Sequence, residues 1–245
     1  MSDPTAIVCL IKMSRTTRRR RGKQLGFQFR TWGGARKGAG RKRVLPGRSR
    51  VAHRARPDFK KSQPLHVTTR IRECVPRLRT RKRAQVIRAA LLAIADEPGF
   101  AVCQFSVQGD HLHLIVEADN KACVARGMKR LKQRIARALN RQLGRTGSVF
   151  EDRYHLEVID NPQQARNTLA YVLRNAFKHG SRGTHVSGID PYSSAWWFDG
   201  WSSKRWRKGV GPPQQESCVQ PARTWLLRTG WRRHGLIAVA ARSRS

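Results

Sequence analysis

From Pro64 to Lys178 the apolar residues change their period several times, from two to near 3.6 and back, and the order of those changes leaves few folds open. Leu65, Val67, Thr69 and Ile71 alternate with His66, Thr68, Arg70 and Arg72, the pattern of a half-buried strand. Ile87, Ala90, Leu91 and Ile94 then recur at helical spacing, which predicts a helix over Arg81–Ala95 closed by Pro98-Gly99. Two more strands, Phe100–Gln108 and His111–Ala118, flank Gly109-Asp110, a tight hairpin turn. Val124, Met128, Leu131, Ile135 and Leu139 make one stripe of a second helix over Lys121–Leu143. A fourth strand near Val149–Ile159 leads through Asn161-Pro162 into a third helix over Gln163–Lys178.

Strand, helix, strand, strand, helix, strand, helix is the order of an α+β, ferredoxin-like (split βαβ) antiparallel sheet with helices on one face. With a period of two, Cys103, Phe105, Val107, Leu112, Leu114 and Val116 should face those helices, and Gln104, Ser106, His111, His113 and Glu117 should line an open face.

The expected division is a basic arm over residues 1–61, a folded domain over 62–180 and a basic, Trp-containing extension over 181–245. The 245-residue chain carries 51 Lys and Arg against 15 Asp and Glu, a formal net charge of +36. So large an excess of one sign repels itself without a polyanion, and nucleic acid is the expected partner. The arm has little that forms a core and should be disordered when free. Within it, Gly38-Ala39-Gly40-Arg41-Lys42-Arg43 reads either as an Arg core entering a narrow minor groove or as a solvated linker. Trp196, Trp197, Trp201, Trp206, Trp225 and Trp231 either stack on unpaired bases or pack back onto the domain. Arg79, Arg81, Lys82 and Arg83 oppose the dipole of the first helix, which phosphate contact would explain; Lys129, Lys132 and Arg137 of the second helix meet either a backbone or solvent.

No apolar stretch approaches the roughly 20 residues that span a bilayer. Ala6–Ile11 is too short for a signal-peptide core, and Met1 and Met13 are both possible starts. Cys9, Cys74, Cys103, Cys123 and Cys218 have no close paired spacing, which speaks against a zinc ribbon or a disulfide framework and fits a reducing cytoplasm.

Two pairs of residues carry chemistry. His111 and His113, two apart on a strand, project from one face and suit one metal ion, or else belong to an ordinary polar face. Tyr171 and Asn175, at i and i+4, share a helix face; an amide oxygen suits Mg2+ or Mn2+, while the bland alternative is a core aromatic and a helix-end amide. Neutral imidazoles leave a divalent ion its full charge to neutralise a phosphodiester. A phenol, pKa about 10, becomes a nucleophile on losing its proton near such a cation. Tyr154, on the fourth strand without an i+4 amide, is the rival nucleophile, and Glu117 either adds to a metal shell or ends a solvated strand.

The segments Ser106-Val107-Gln108-Gly109-Asp110-His111-Leu112-His113-Leu114-Ile115-Val116-Glu117 and Tyr171-Val172-Leu173-Arg174-Asn175-Ala176-Phe177-Lys178-His179-Gly180 resemble the HUH motif and tyrosine helix of single-tyrosine transposases, closest to the REP-associated tyrosine transposases. The likeness extends over Gly33–Arg43, Pro64–Gly180 and Asp190–Trp201, and departs at Asn175-Ala176, where the family often has Asn-Pro. The resemblance implies a DNA nicking and rejoining enzyme with Tyr171 as nucleophile, His111, His113 and Asn175 on Mg2+ or Mn2+, and a 5′-phosphotyrosine intermediate on single-stranded, hairpin-forming DNA. It implies work at the nucleoid in the cytoplasm, as monomer or homodimer. Arg41, Lys42, Arg43, Arg81, Lys82, Arg83 and Lys129 are the DNA-contact candidates. The competing readings are a relaxase or replication initiator with the same chemistry, and a non-catalytic nucleic-acid module, which would carry aromatic platforms on its central strands.

Overall fold

The computed structural model describes residues 56–178, 188–203 and 216–239. The elements run β1 (Leu65–Arg70), α1 (Arg81–Leu92), β2 (Phe100–Val107), β3 (His111–Ala118), α2 (Lys121–Gln142), β4 (His155–Val158), α3 (Pro162–Lys178) and the short α4 (Trp225–Arg228), followed by a 3-10 turn over Gly230–His234. The four strands form one antiparallel sheet in the order β2-β3-β1-β4. This is the expected split βαβ topology, with the histidine strand β3 and β1 at its centre.

Local signals set the boundaries. Thr80 caps α1 by accepting from the Arg83 amide, and Asn120 caps α2 by accepting from the Cys123 amide at 3.0 Å. Val124, Met128, Leu131, Ile135 and Leu139 of α2 are buried with Ile87 and Leu91 of α1 against Leu65, Val67, Phe105, Leu112, Leu114 and Val116 of the sheet. Gly127 brings α2 close to β2, since a Cβ there would stand 2.3 Å from the Phe100 ring. Arg126 and Arg130 grip the buried Glu97 carboxylate ahead of β2 at 2.8 and 2.5 Å.

Two expectations are corrected. The register against β3 shifts between Val102 and Gln104, a bulge that turns Cys103 away from α1 and α2. Cys103 is instead buried with Ile115, Leu169 and Val172. The face expected to be open is covered: α3 and the segments 189–203 and 222–239 lie on it, with Ala195, Phe198, Trp201, Leu227 and Trp231 forming a second core. A period-two count cannot foresee this, because the covering residues have no regular period of their own.

Segment 188–203 also shields the edge strand. The Val107 amide donates to the Tyr192 carbonyl at 2.9 Å and the Ser194 amide to the Phe105 carbonyl at 3.0 Å. Arg79 anchors the segment from the start of α1, pairing both guanidinium ends with Asp190 at 3.0 Å, with both side chains almost fully buried. Arg79 is therefore an internal strut and not a phosphate contact. Glu117 is 1 % exposed and accepts from the Arg223 and Thr224 amides and the Thr224 hydroxyl at 2.7–2.9 Å, so it ties down the start of α4 and is not a metal ligand. Trp201 and Trp231 pack inward and donate to carbonyls of Ala195 and Leu227; Trp225 is about half exposed, and Trp206 lies outside the described residues. No helix among the described residues is long and apolar enough to cross a membrane.

Candidate active site

The pairing register places Ser106, His113, Thr68 and His155 in one row across β2, β3, β1 and β4. Paired residues share a sheet face, so this row looks toward α3. His66 and Glu157 form the row on one side of it, and Arg70 opposite His111 the row on the other. A cavity of about 630 Å³ opens here, lined by His66, Arg70, His111, His113, His155 and Tyr171 among others.

His111 and His113 meet at ring centroids 4.7 Å apart and nearly perpendicular, as residues two apart on a strand should. Each has its Nδ1 engaged from behind. His111 Nδ1 lies 2.6 Å from Asp110 Oδ1, and Asp110 is held in turn by Arg70 at 2.5 Å. His113 Nδ1 lies 3.1 Å from Thr68 Oγ1 and 3.2 Å from His66 Nε2. A proton on Nδ1, donated to these acceptors, leaves the Nε2 lone pair of each ring for a ligand.

Burial pushes the Asp110 carboxyl upward, but the His111 hydrogen bond and Arg70 outweigh it and hold it below the usual range. Burial pushes the His66 imidazole below its ordinary value, against the pull of Glu157 at 3.5 Å, so His66 meets His113 as a neutral ring.

Tyr171 reaches the cluster from α3. Its ring stands edge-on to His113 at 5.2 Å and to His66 at 5.9 Å between centroids. Asn175, one turn on, is 0 % exposed, and neither atom of its amide has a hydrogen-bond partner among the described residues. A buried, unsatisfied amide costs about 1–3 kcal/mol, which suits a group waiting for a ligand. Asn175 does not itself line the cavity. Among the described residues no three His, Cys, Asp or Glu are grouped to hold a metal ion.

Tyr154 belongs elsewhere. It lies just before β4, is 7 % exposed, and packs in the core beneath α1 and α2 under the Arg56 guanidinium at 3.8 Å; burial pushes its phenol up. The helix cations are also distant in kind. Arg81, Lys82, Lys129 and Arg137 are exposed on helices that cover the opposite sheet face, and Arg83 donates to the Arg77 carbonyl at 2.6 Å. Lys132 is committed to the Asp152 carbonyl at 2.8 Å. Arg41, Lys42 and Arg43 lie outside the described residues.

Sequence reasoning passed over Asp110, read as a turn residue, and His66 and Thr68, read as the polar side of a strand. The signal was present: His66 and Thr68 occupy the alternate positions of β1 that the hairpin register sets beside His113.

Residues 61–175 match the family model of the IS200-like transposases. The chain is similar in structure to a REP-associated tyrosine transposase bound to a REP hairpin, at 20% identity and a TM-score of 0.48, over 59% of this chain and 82% of that one. It is also similar to a putative transposase from Deinococcus radiodurans R1, at 15% identity and a TM-score of 0.35, over 56% of this chain and 98% of that one. No curated protein matches it.

Proposed function

We propose that this chain, whose residues 61–175 match the IS200-like transposases, nicks and rejoins single-stranded, hairpin-bearing DNA through Tyr171. The observation that carries the reading is that Tyr171, from α3, stands beside His113 and shares one cavity with His113 and His111, whose Nδ1 atoms are both engaged. Asn175, His111 and His113 would hold Mg2+ or Mn2+, which supplies positive charge to the scissile phosphate. All three donors are neutral, so that charge is undiminished. Asp110, Thr68 and His66 orient the two rings. Tyr171 Oη loses its proton and attacks phosphorus; the bond to the 3′ oxygen breaks, leaving a free 3′-OH and a 5′-phosphotyrosine. Attack by another strand's 3′-OH reverses the step without ATP, because the phosphodiester's energy is kept in the tyrosine ester.

The division into an arm (1–61), a catalytic domain (62–180) and an extension (181–245) belongs to this reading, with Arg41, Lys42 and Arg43, and the exposed Arg81, Lys82 and Lys129, as sequence-independent phosphate contacts. The protein would act on chromosomal DNA in the cytoplasm. A non-catalytic reading expects aromatic side chains on the central strands facing the ligand; β3 and β1 carry His111, His113 and Thr68 there.

The test is to incubate the full chain with end-labelled hairpin-bearing single strands, with Mn2+ or with chelator, and to sequence any DNA-linked tryptic peptide by mass spectrometry. The reading expects a metal-dependent adduct on the peptide containing Tyr171. An adduct on another residue, or cleavage unchanged in chelator, contradicts it.

A further inference from the structure

α3 borders a second cavity. Asn167, Thr168 and Tyr171 line the histidine cavity, whereas Leu169 of the same helix lines a separate space of about 610 Å³ closed by the segments 197–199 and 217–232. That volume lies within the roughly 300–1,000 Å³ of small-ligand sites. Its walls mix the apolar Leu169, Leu227, Phe198 and the half-buried Trp197 with the polar Gln104 and Gln220. They are also fixed. The Phe198 ring is wedged against Trp201 and Trp231 at 5.3 and 5.5 Å, and the Arg88 guanidinium sits over Trp197 at 5.5 Å. The rim is polar. Asp199 and Arg232 pair across it at 2.8 Å, and the exposed Arg228 has no ion-pair partner among the described residues.

Aromatic walls take a planar ring, a free guanidinium takes an anion, and a carboxylate accepts from exocyclic amino groups. One ligand combines these demands in a chain of net charge +36. We propose that this cavity binds the base of an unpaired nucleotide, with Arg228 on its phosphate. The inference rests on the proposed action on single-stranded DNA and extends it: the nucleotide belongs to the strand that Tyr171 attacks. An α-helix with its side chains is about 10–12 Å across, so the two sides of α3 are within reach of a few nucleotides of one strand. The Trp-rich segment then has two parts, with Trp201 and Trp231 as core and Trp197 as a stacking wall.

The experiment measures binding of the full chain to a mixed-sequence single strand by fluorescence anisotropy in chelator, and repeats it with an abasic site moved along the strand. Trp197→Ala should weaken binding by about tenfold, while Trp197→Phe, which keeps a ring, should stay within about twofold. Arg228→Ala, at an exposed position, should weaken binding by about threefold to tenfold without disturbing the fold. One abasic position should cost the parent about tenfold and cost Trp197→Ala nothing more. Binding of Trp197→Ala and Arg228→Ala equal to the parent's, with no sensitive abasic position, overturns the proposal. If the Tyr171 adduct still forms in that case, the strand-cleavage reading stands without this pocket. Abasic sensitivity that depends on Trp197, in a parent that forms no adduct, keeps the nucleotide site and removes the cleavage reading.

Discussion

Asp110 Oδ1 stands 2.6 Å from His111 Nδ1, and Arg70 holds the same carboxylate from its other oxygen. A histidine fixed in this way presents Nε2 outward in one tautomer and one orientation. Replacing Asp110 with Ala removes the acceptor without touching the proposed donor set. Mn2+ affinity, read by electron paramagnetic resonance, should fall about 10- to 100-fold. Unchanged affinity would make the pair a feature of the turn alone.

The Arg79–Asp190 pair makes a stability prediction. Both side chains are almost fully buried, at 8 % and 0 % exposed, so Arg79→Ala leaves an uncompensated charge beneath segment 188–203. Urea unfolding should show a loss of about 3–5 kcal/mol, and Arg79→Ala with Asp190→Ala should lose less than Arg79→Ala alone. A loss under about 1 kcal/mol would mean that the segment is held by its other contacts.

Glu97 gives a pH prediction. Burial raises its pKa, but the hydrogen bonds and charges of Arg126 and Arg130 together outweigh it and hold the carboxyl below the ordinary value of 4.5. The unfolded chain therefore takes up this proton first as pH falls. The stability contributed by Glu97 is complete above pH 4.5 and is lost as pH drops through the lower, folded value. Thermal midpoints measured from pH 6 to 3 should fall less steeply below 4.5 in Glu97→Gln than in the parent, and parallel curves would contradict the assignment.

The arm makes a prediction about salt. Deleting residues 1–61 removes a dense run of cations, so the slope of log affinity for single-stranded DNA against log salt should become shallower by about 0.7 for each phosphate that the arm neutralises. An unchanged slope would show that the arm does not bind DNA.

Most of the sheet was legible from the sequence because its strands alternate and its helices carry clean stripes: β3 runs from His111 to Ala118 as the pattern predicts, and α2 ends within a residue of Leu143. The strand expected over Val149–Ile159 is shorter, His155–Val158, since Phe150 and Tyr154 enter the helix-side core without extended pairing. Cys103 was misplaced because a bulge shifts the register without a mark in composition. Covering of the α3 face was illegible because Ala195, Trp201 and Leu227 come from irregular chain. At the site, His111, His113 and Tyr171 were visible as types and spacings. The support from Asp110, Thr68 and His66 depends on strand register, which only three-dimensional pairing supplies.

Tyr171 is the proposed nucleophile, and a single substitution separates its hydroxyl from its ring. Tyr171→Phe keeps the ring beside His113 and removes only the hydroxyl, so packing and DNA affinity should persist. With a labelled hairpin-bearing single strand and Mn2+, the parent and Tyr154→Phe should each give a denaturant-stable protein–DNA band on a gel, and Tyr171→Phe should give none while binding the strand as tightly as the parent. A band of parental intensity from Tyr171→Phe would contradict the claim, and its loss in Tyr154→Phe would move the nucleophile to a tyrosine buried on the other face of the sheet.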